Sequence, residues 1–152
     1  MTKRGRPVEI LLVEDNEGDI LLTQEAFEDA KIRNSIHIAR DGEEALSMLH
    51  KQGPHAFLPD FDLILLDLNL PKIDGKQVLQ DIKNDDRLRR VPVVVMTTSS
   101  AQRDIVESYN LHANSYVMKP ISFESFKEIV SAIEDFWFSV VVLPPGTEDG
   151  GE

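Results

Sequence analysis

The chain has 152 residues, 41% hydrophobic and 28% charged, the size and balance of one folded globular domain. Its formal net charge of −11 excludes a general nucleic-acid surface, which needs clustered lysines and arginines. With no cysteine it has no disulfide, thiolate metal site or cysteine nucleophile, and the expected location is the reducing cytoplasm. The basic start, MTKRGRPVEI, lacks the apolar segment of a signal peptide, and no run approaches a membrane span.

After a flexible segment, residues 1–7, the apolar run Val8–Val13 predicts a buried strand. Residues from Glu17 to about Ala30 follow as a helix, with Leu22, Ala26 and Phe27 on one face. Ser35–Ala39 is rich in β-branched residues and predicts a second strand. Asp41 and Glu44 have the spacing of a capping box and open a second helix. After the long segment LHKQGPHAFLPDFD, Leu63–Leu66 is the third strand, and a third helix covers Asp74 to Lys83. Val91–Thr98 is the fourth strand, a short helix follows from Ala101 to about Tyr109, and Asn114–Met118 is the fifth strand. A last helix runs from Ser122, its expected N-cap, to about Phe138. Residues 144–152 are an acidic tail, expected to be disordered.

Five apolar strands alternate with five helices, the pattern of a doubly wound α/β fold with a parallel sheet. The common five-strand order is 2-1-3-4-5, which places sites at the carboxyl ends of the strands. Glu14 and Asp15 follow strand one, Asp67 follows strand three, Thr97 and Thr98 end strand four, and Lys119 ends strand five. In that order the four loops converge on Asp67. Carboxylates about 5 Å apart repel by roughly 3 kcal/mol at an effective dielectric near 20, so a shared cleft needs compensation. A magnesium ion, which favours oxygen ligands, supplies it. The four histidines, His37, His50, His55 and His112, are scattered and lack ligand spacing. A carboxylate nucleophile, a magnesium ion, a lysine and a hydroxyl make a site for phosphoryl transfer.

The stretches LLVEDN, LILLDLNLPKIDG, VPVVVMTTS and YVMKP resemble the receiver domain of two-component response regulators over about residues 8 to 138. The family's spacing between Asp67, Thr97 and Lys119 is kept. The resemblance implies that Asp67 is the phosphoacceptor and that Asp15, Glu14 and Asp67, with the backbone carbonyl of Asn69, hold Mg2+. It implies that Thr97 and Lys119 bind the phosphoryl group and that Tyr116 is the switch aromatic. Pro71 and Gly75 would shape the turn after Asp67, and the Lys119–Pro120 bond would be cis. The long segment before strand three, SYNLHANSYVMKP and IEDFWFSVVVLP are most similar to stand-alone receivers that partner phytochrome-type sensor histidine kinases. The expected function is therefore acceptance of a phosphoryl group from such a kinase, with output by protein contact.

Three rival readings are a magnesium phosphatase using an aspartyl phosphate, a flavodoxin-like binding module and a receiver fold that only dimerises. The phosphatase loop usually reads Asp-x-Asp after the first strand, whereas here Asp67-Leu68-Asn69 follows the third. A flavodoxin-like binding module would need a Ser/Thr/Gly-rich phosphate loop after strand one, and none is there. In the last helix, Phe126, Ile129, Val130, Ile133 and Trp137 form an apolar stripe for the sheet. Phe136, Phe138, Val140 and Val142 are left over, and they are the expected interface of a twofold homodimer. The receiver domain is thus expected over residues 8–143.

Overall fold

The computed structural model describes residues 7–31, 33–98, 115–120 and 122–136. Five parallel strands form one sheet in the order β2-β1-β3-β4-β5. They are β1 (Val8–Val13), β2 (Asn34–Ala39), β3 (Leu63–Asp67), β4 (Val93–Thr97) and β5 (Ser115–Met118). Four helices are described: α1 (Glu17–Glu28), α2 (Gly42–Leu49), α3 (Gly75–Asn84) and α4 (Phe123–Phe136). The helix expected over 101–109 lies outside the described residues, as do Ser99, Trp137 and everything beyond.

Side chains alternate across each strand, so the sheet presents two apolar faces. Leu11, Val13, Ile64, Leu66, Val93 and Val95 pack with Ala45, Leu49, Val78 and Ile82 of α2 and α3. Ile10, Leu12, Leu65, Val94 and Met96 pack on the other face with Ile20 and Phe27 of α1 and with Phe126 and Val130 of α4. There the Phe27 and Phe126 rings meet edge to face, with centroids 6.1 Å apart. Ile129 and Ile133 complete the α4 stripe from half-buried positions.

The first three helices each follow the loop that leaves a strand's carboxyl end, and each is capped by an Asn or Asp side chain. Asn16 accepts from the Asp19 N–H, Asp41 from the Glu44 N–H and Asp74 from the Gln77 N–H. The capping box of α2 departs from the simplest pattern, because the Glu44 carboxylate accepts from the N–H of Arg40 rather than of Asp41. Strand β4 starts two residues later than the apolar run. Pro92 has no N–H to enter a ladder, yet its carbonyl accepts from Ile64. Helix α1 ends at Glu28 and α3 extends to Asn84, each within two residues of expectation. The long segment before β3 carries a 3-10 turn at Gly53–His55, and Phe57 at its tip is fully exposed.

Candidate functional site

The register of the sheet builds the site. Val13 stands beside Leu66 and Asp67 beside Met96, while Thr97 stands beside Met118. The residues that follow these positions therefore gather at one end of the sheet. Among the described residues, Asp15, Asp19, Asp67, Asn69, Thr98 and Lys119 wall an open cleft of about 820 Å3 there.

Asp67 is the last residue of β3 and is 1% exposed, and Glu14 beside it is 0% exposed. Asp15 is exposed on the cleft wall. One carboxylate oxygen from each of Glu14, Asp15 and Asp67 lies within 4.8 Å of the others. The Lys119 ammonium answers this charge. Its Nζ donates to Glu14 Oε2 and Asp67 Oδ2, both at 3.0 Å, and lies 3.0 Å from Asp19 Oδ2. The other Asp67 oxygen, Oδ1, accepts from the Asn69 N–H at 2.9 Å, which folds the loop back over the carboxylate.

Burial pushes the Glu14 carboxyl up to about 7, with the charge of Asp67 adding to the rise and the Lys119 hydrogen bond opposing it. For Lys119, burial works to lower the pKa, but hydrogen bonds to Glu14, Asp19 and Asp67 win and hold it well above the usual lysine range. A buried carboxylate that is hard to ionise, next to two more, marks a site short of positive charge. Glu14 Oε1 lies 2.9 Å from Lys119 Nζ but meets no donor in hydrogen-bond geometry among the described residues. A hard divalent cation fits this all-oxygen set and would complete the coordination of that oxygen.

The turn after Asp67 is built by close approach. A Cβ on Gly75 would sit 2.5 Å from the Asp67 carbonyl oxygen and from Leu68 Cα, so only glycine lets α3 start there. The Gly75 N–H donates to the Leu68 carbonyl, and Lys72 takes a positive φ of 65°. The far side of the loop rests on α2. A Cβ on Gly42 would lie 2.0 Å from the Ile73 carbonyl oxygen, and Lys72 Nζ reaches Asp41 and Glu43 at 3.5 and 3.4 Å. The Lys119–Pro120 bond is cis.

The structure thus brings together Glu14, Asp15, Asp67, Asn69 and Lys119. Thr97 ends β4 fully buried, and the cleft wall at that strand end is Thr98, whose Oγ1 accepts from Asn69 Nδ2 at 3.1 Å. Tyr116 in β5 is half-buried and packs against the core on the α2–α3 side. Of the residues set aside as an interface, Phe138, Val140 and Val142 lie outside the described residues, and only the backbone of Phe136 is described, as the end of α4. Sequence reasoning missed Asp19. The signal was there: it stands four residues after Asp15 in the first turn of a helix leaving the site.

The fold is thus a parallel doubly wound α/β sheet with an acidic cluster and Lys119 at its carboxyl end. The chain belongs to the response regulator receiver domain family, whose model matches residues 10–131. It is 45% identical to the response regulator Rcp1 of Synechocystis sp. over 138 residues, 91% of this chain and 94% of that protein. It is 46% identical over 132 residues to the probable methanogenesis regulatory protein FilR2 of Methanothrix harundinacea, 86% of this chain and 84% of that one. Among solved structures, the phosphorylated cyanobacterial phytochrome response regulator RcpA matches with a TM-score of 0.79 and 46% identity, covering 91% of this chain and 99% of that one. The Mn(2+)-bound form of Rcp1 matches with a TM-score of 0.77 over the same shares. No described helix is long and apolar enough to cross a membrane.

Proposed function

We propose that the protein is a response regulator that accepts a phosphoryl group on Asp67 from the phosphohistidine of a sensor histidine kinase. The observation that carries this reading is the buried Asp67 carboxylate, 3.0 Å from Lys119 Nζ, facing an open cleft with an unsaturated set of acidic oxygens. An Asp67 oxygen attacks phosphorus, a new P–O bond forms, the P–N bond breaks, and the imidazole leaves and takes a proton. Hydrolysis reverses the state: water attacks phosphorus, inorganic phosphate leaves and the carboxylate is regenerated. Lys119 turns from Asp67 to a phosphoryl oxygen, and Thr97 donates its hydroxyl to a second one. Glu14, Asp15, Asp67 and the Asn69 carbonyl would hold Mg2+. When bound, the ion supplies charge neutralisation between these carboxylates and the incoming phosphoryl oxygens.

The readout we propose begins at Thr97. Drawing its hydroxyl toward the phosphoryl group opens space that the half-buried Tyr116 ring fills, which remodels the surface around β5 and α4. Output is by protein contact, in the cytoplasm, as a homodimer joined through Phe136 and, after it in sequence, Phe138, Val140 and Val142. A monomer in sedimentation at tens of micromolar, with and without a phosphoryl mimic, would refute the dimer.

For the input, a phytochrome-type kinase is favoured because RcpA, a phytochrome response regulator by name, matches over 99% of its length. FilR2, a regulator of methanogenesis by name, is equally identical and supports a second reading in which the input is not light. Mixing the chain with a phosphorylated phytochrome kinase and with a non-photosensory kinase decides between them. Rapid transfer from only the first supports the light-linked reading, and transfer from only the second overturns it. Release of many equivalents of phosphate from a small phosphate ester would instead favour a phosphatase.

A further inference from the structure

Among the described residues, Lys119 is the one cation in contact with these three carboxylates, and the three differ in what the reaction asks of them. The Nζ lies 3.0 Å from Asp67 Oδ2, from Glu14 Oε2 and from Asp19 Oδ2. An ammonium has three N–H bonds, so these three contacts use them all. Asp67 must release its share when it becomes esterified. Glu14 is drawn toward a cation if one binds. Asp19 is neither the proposed phosphoacceptor nor a member of the acidic trio within mutual reach.

The backbone of Asp19 is fixed for such a task. Its N–H donates to the Asn16 cap at 2.9 Å, and its carbonyl accepts from Thr23 Oγ1 at 2.8 Å, with Thr23 buried. Its carboxylate forms part of the cleft wall, one helical turn beyond Asp15. It therefore ties the start of α1 to the end of β5 through a single ion pair across 100 residues of sequence.

We infer that Asp19 is a positioning residue: it holds the Lys119 ammonium at the cleft while Asp67 and Glu14 give up their contacts to the phosphoryl group and the metal. The inference rests on the phosphoacceptor reading above. With Asp19 in place, one N–H of Lys119 stays anchored and the other two are aimed at the reaction. Without it, the ammonium loses its one constant partner and samples positions away from the transferring group.

The test is a double-mutant cycle with acetyl phosphate as donor and magnesium present, following the Asp67 adduct by intact mass. Asp19→Asn should lower the saturating phosphorylation rate by about tenfold, with the donor KM changed less than about threefold, a size typical of directly coupled pairs. In a Lys119→Met background the same substitution should change the rate less than about twofold. Asp19→Glu, which keeps the charge on a longer arm, should recover part of the loss. A general effect of negative charge, or of helix capping, would act equally in both backgrounds. Equal fold-changes in the two backgrounds, or no change in the first, overturn the inference while leaving Asp67 labelling intact. A parent chain that never acquires the adduct overturns the phosphoacceptor reading and this inference with it.

Discussion

Replacing Asp67 by Asn separates a site built for function from one built for stability. Removing one partner of an ordinary buried ion pair costs about 3–5 kcal/mol, because the other charge is stranded. Here the balance differs. Asp67 attracts Lys119 at 3.0 Å, worth about 5.5 kcal/mol at an effective dielectric near 20. At pH 8 and above, where Glu14 is ionised, it repels Glu14 and Asp15, each by about 3.5 kcal/mol at the 4.8 Å limit of their separation. The two repulsions outweigh the attraction by about 1–2 kcal/mol. Lys119 keeps Glu14 and Asp19, and the Asn side-chain oxygen still accepts from the Asn69 N–H. Asp67→Asn should therefore leave stability in EDTA unchanged or raise it by up to about 1–2 kcal/mol. Magnesium at 100 times its dissociation constant should stabilise the parent by about 2.7 kcal/mol and the variant much less. Urea unfolding followed by circular dichroism at pH 8, with and without magnesium, measures both. A loss of 3 kcal/mol or more in EDTA, on the scale of an ordinary stranded charge, would refute the reasoning, as would equal magnesium stabilisation of the two proteins.

Three further outcomes follow from the same geometry. With its carboxyl raised from 4.5 to about 7, Glu14 holds a proton in the native chain that the unfolded chain has lost between those values. Its contribution to metal-free stability thus falls as pH rises through that window. Magnesium affinity by calorimetry should rise up to about tenfold per pH unit below 7 and level off above, and Glu14→Gln should abolish the slope. Gly75→Ala puts a methyl 2.5 Å from the backbone of Asp67 and Leu68, so it should cost about 1–3 kcal/mol in denaturant unfolding and slow phosphorylation by displacing the Asn69 loop. Asp41→Ala removes the 2.7 Å cap on the Glu44 N–H and should cost about 1 kcal/mol in the same assay.

Much of this architecture is legible in the chain because its signals are local. The mostly apolar runs of β1, β3 and β4 are what a sheet covered on both faces requires, and the Asx residues before α1, α2 and α3 mark where helices leave strand ends. Given the strand order, Asp67 and Lys119 had to meet, and they do. What stayed hidden depends on three-dimensional approach. Asp19 reads locally as an acid favouring a helix N-terminus, and nothing nearby in sequence shows that Lys119 will reach it. That Thr98 lines the cleft while Thr97 is buried turns on which way the end of β4 faces. The need for glycine at 42 comes from the Ile73 carbonyl of a distant loop.

The central claim is that Asp67 is the residue that takes the phosphoryl group. Incubating the chain with acetyl phosphate and magnesium, then measuring intact mass, tests it directly. One phosphoryl adduct per parent chain, absent in Asp67→Asn and absent when EDTA replaces magnesium, is the predicted result. An adduct that survives the substitution, or a parent that never acquires one, would contradict it.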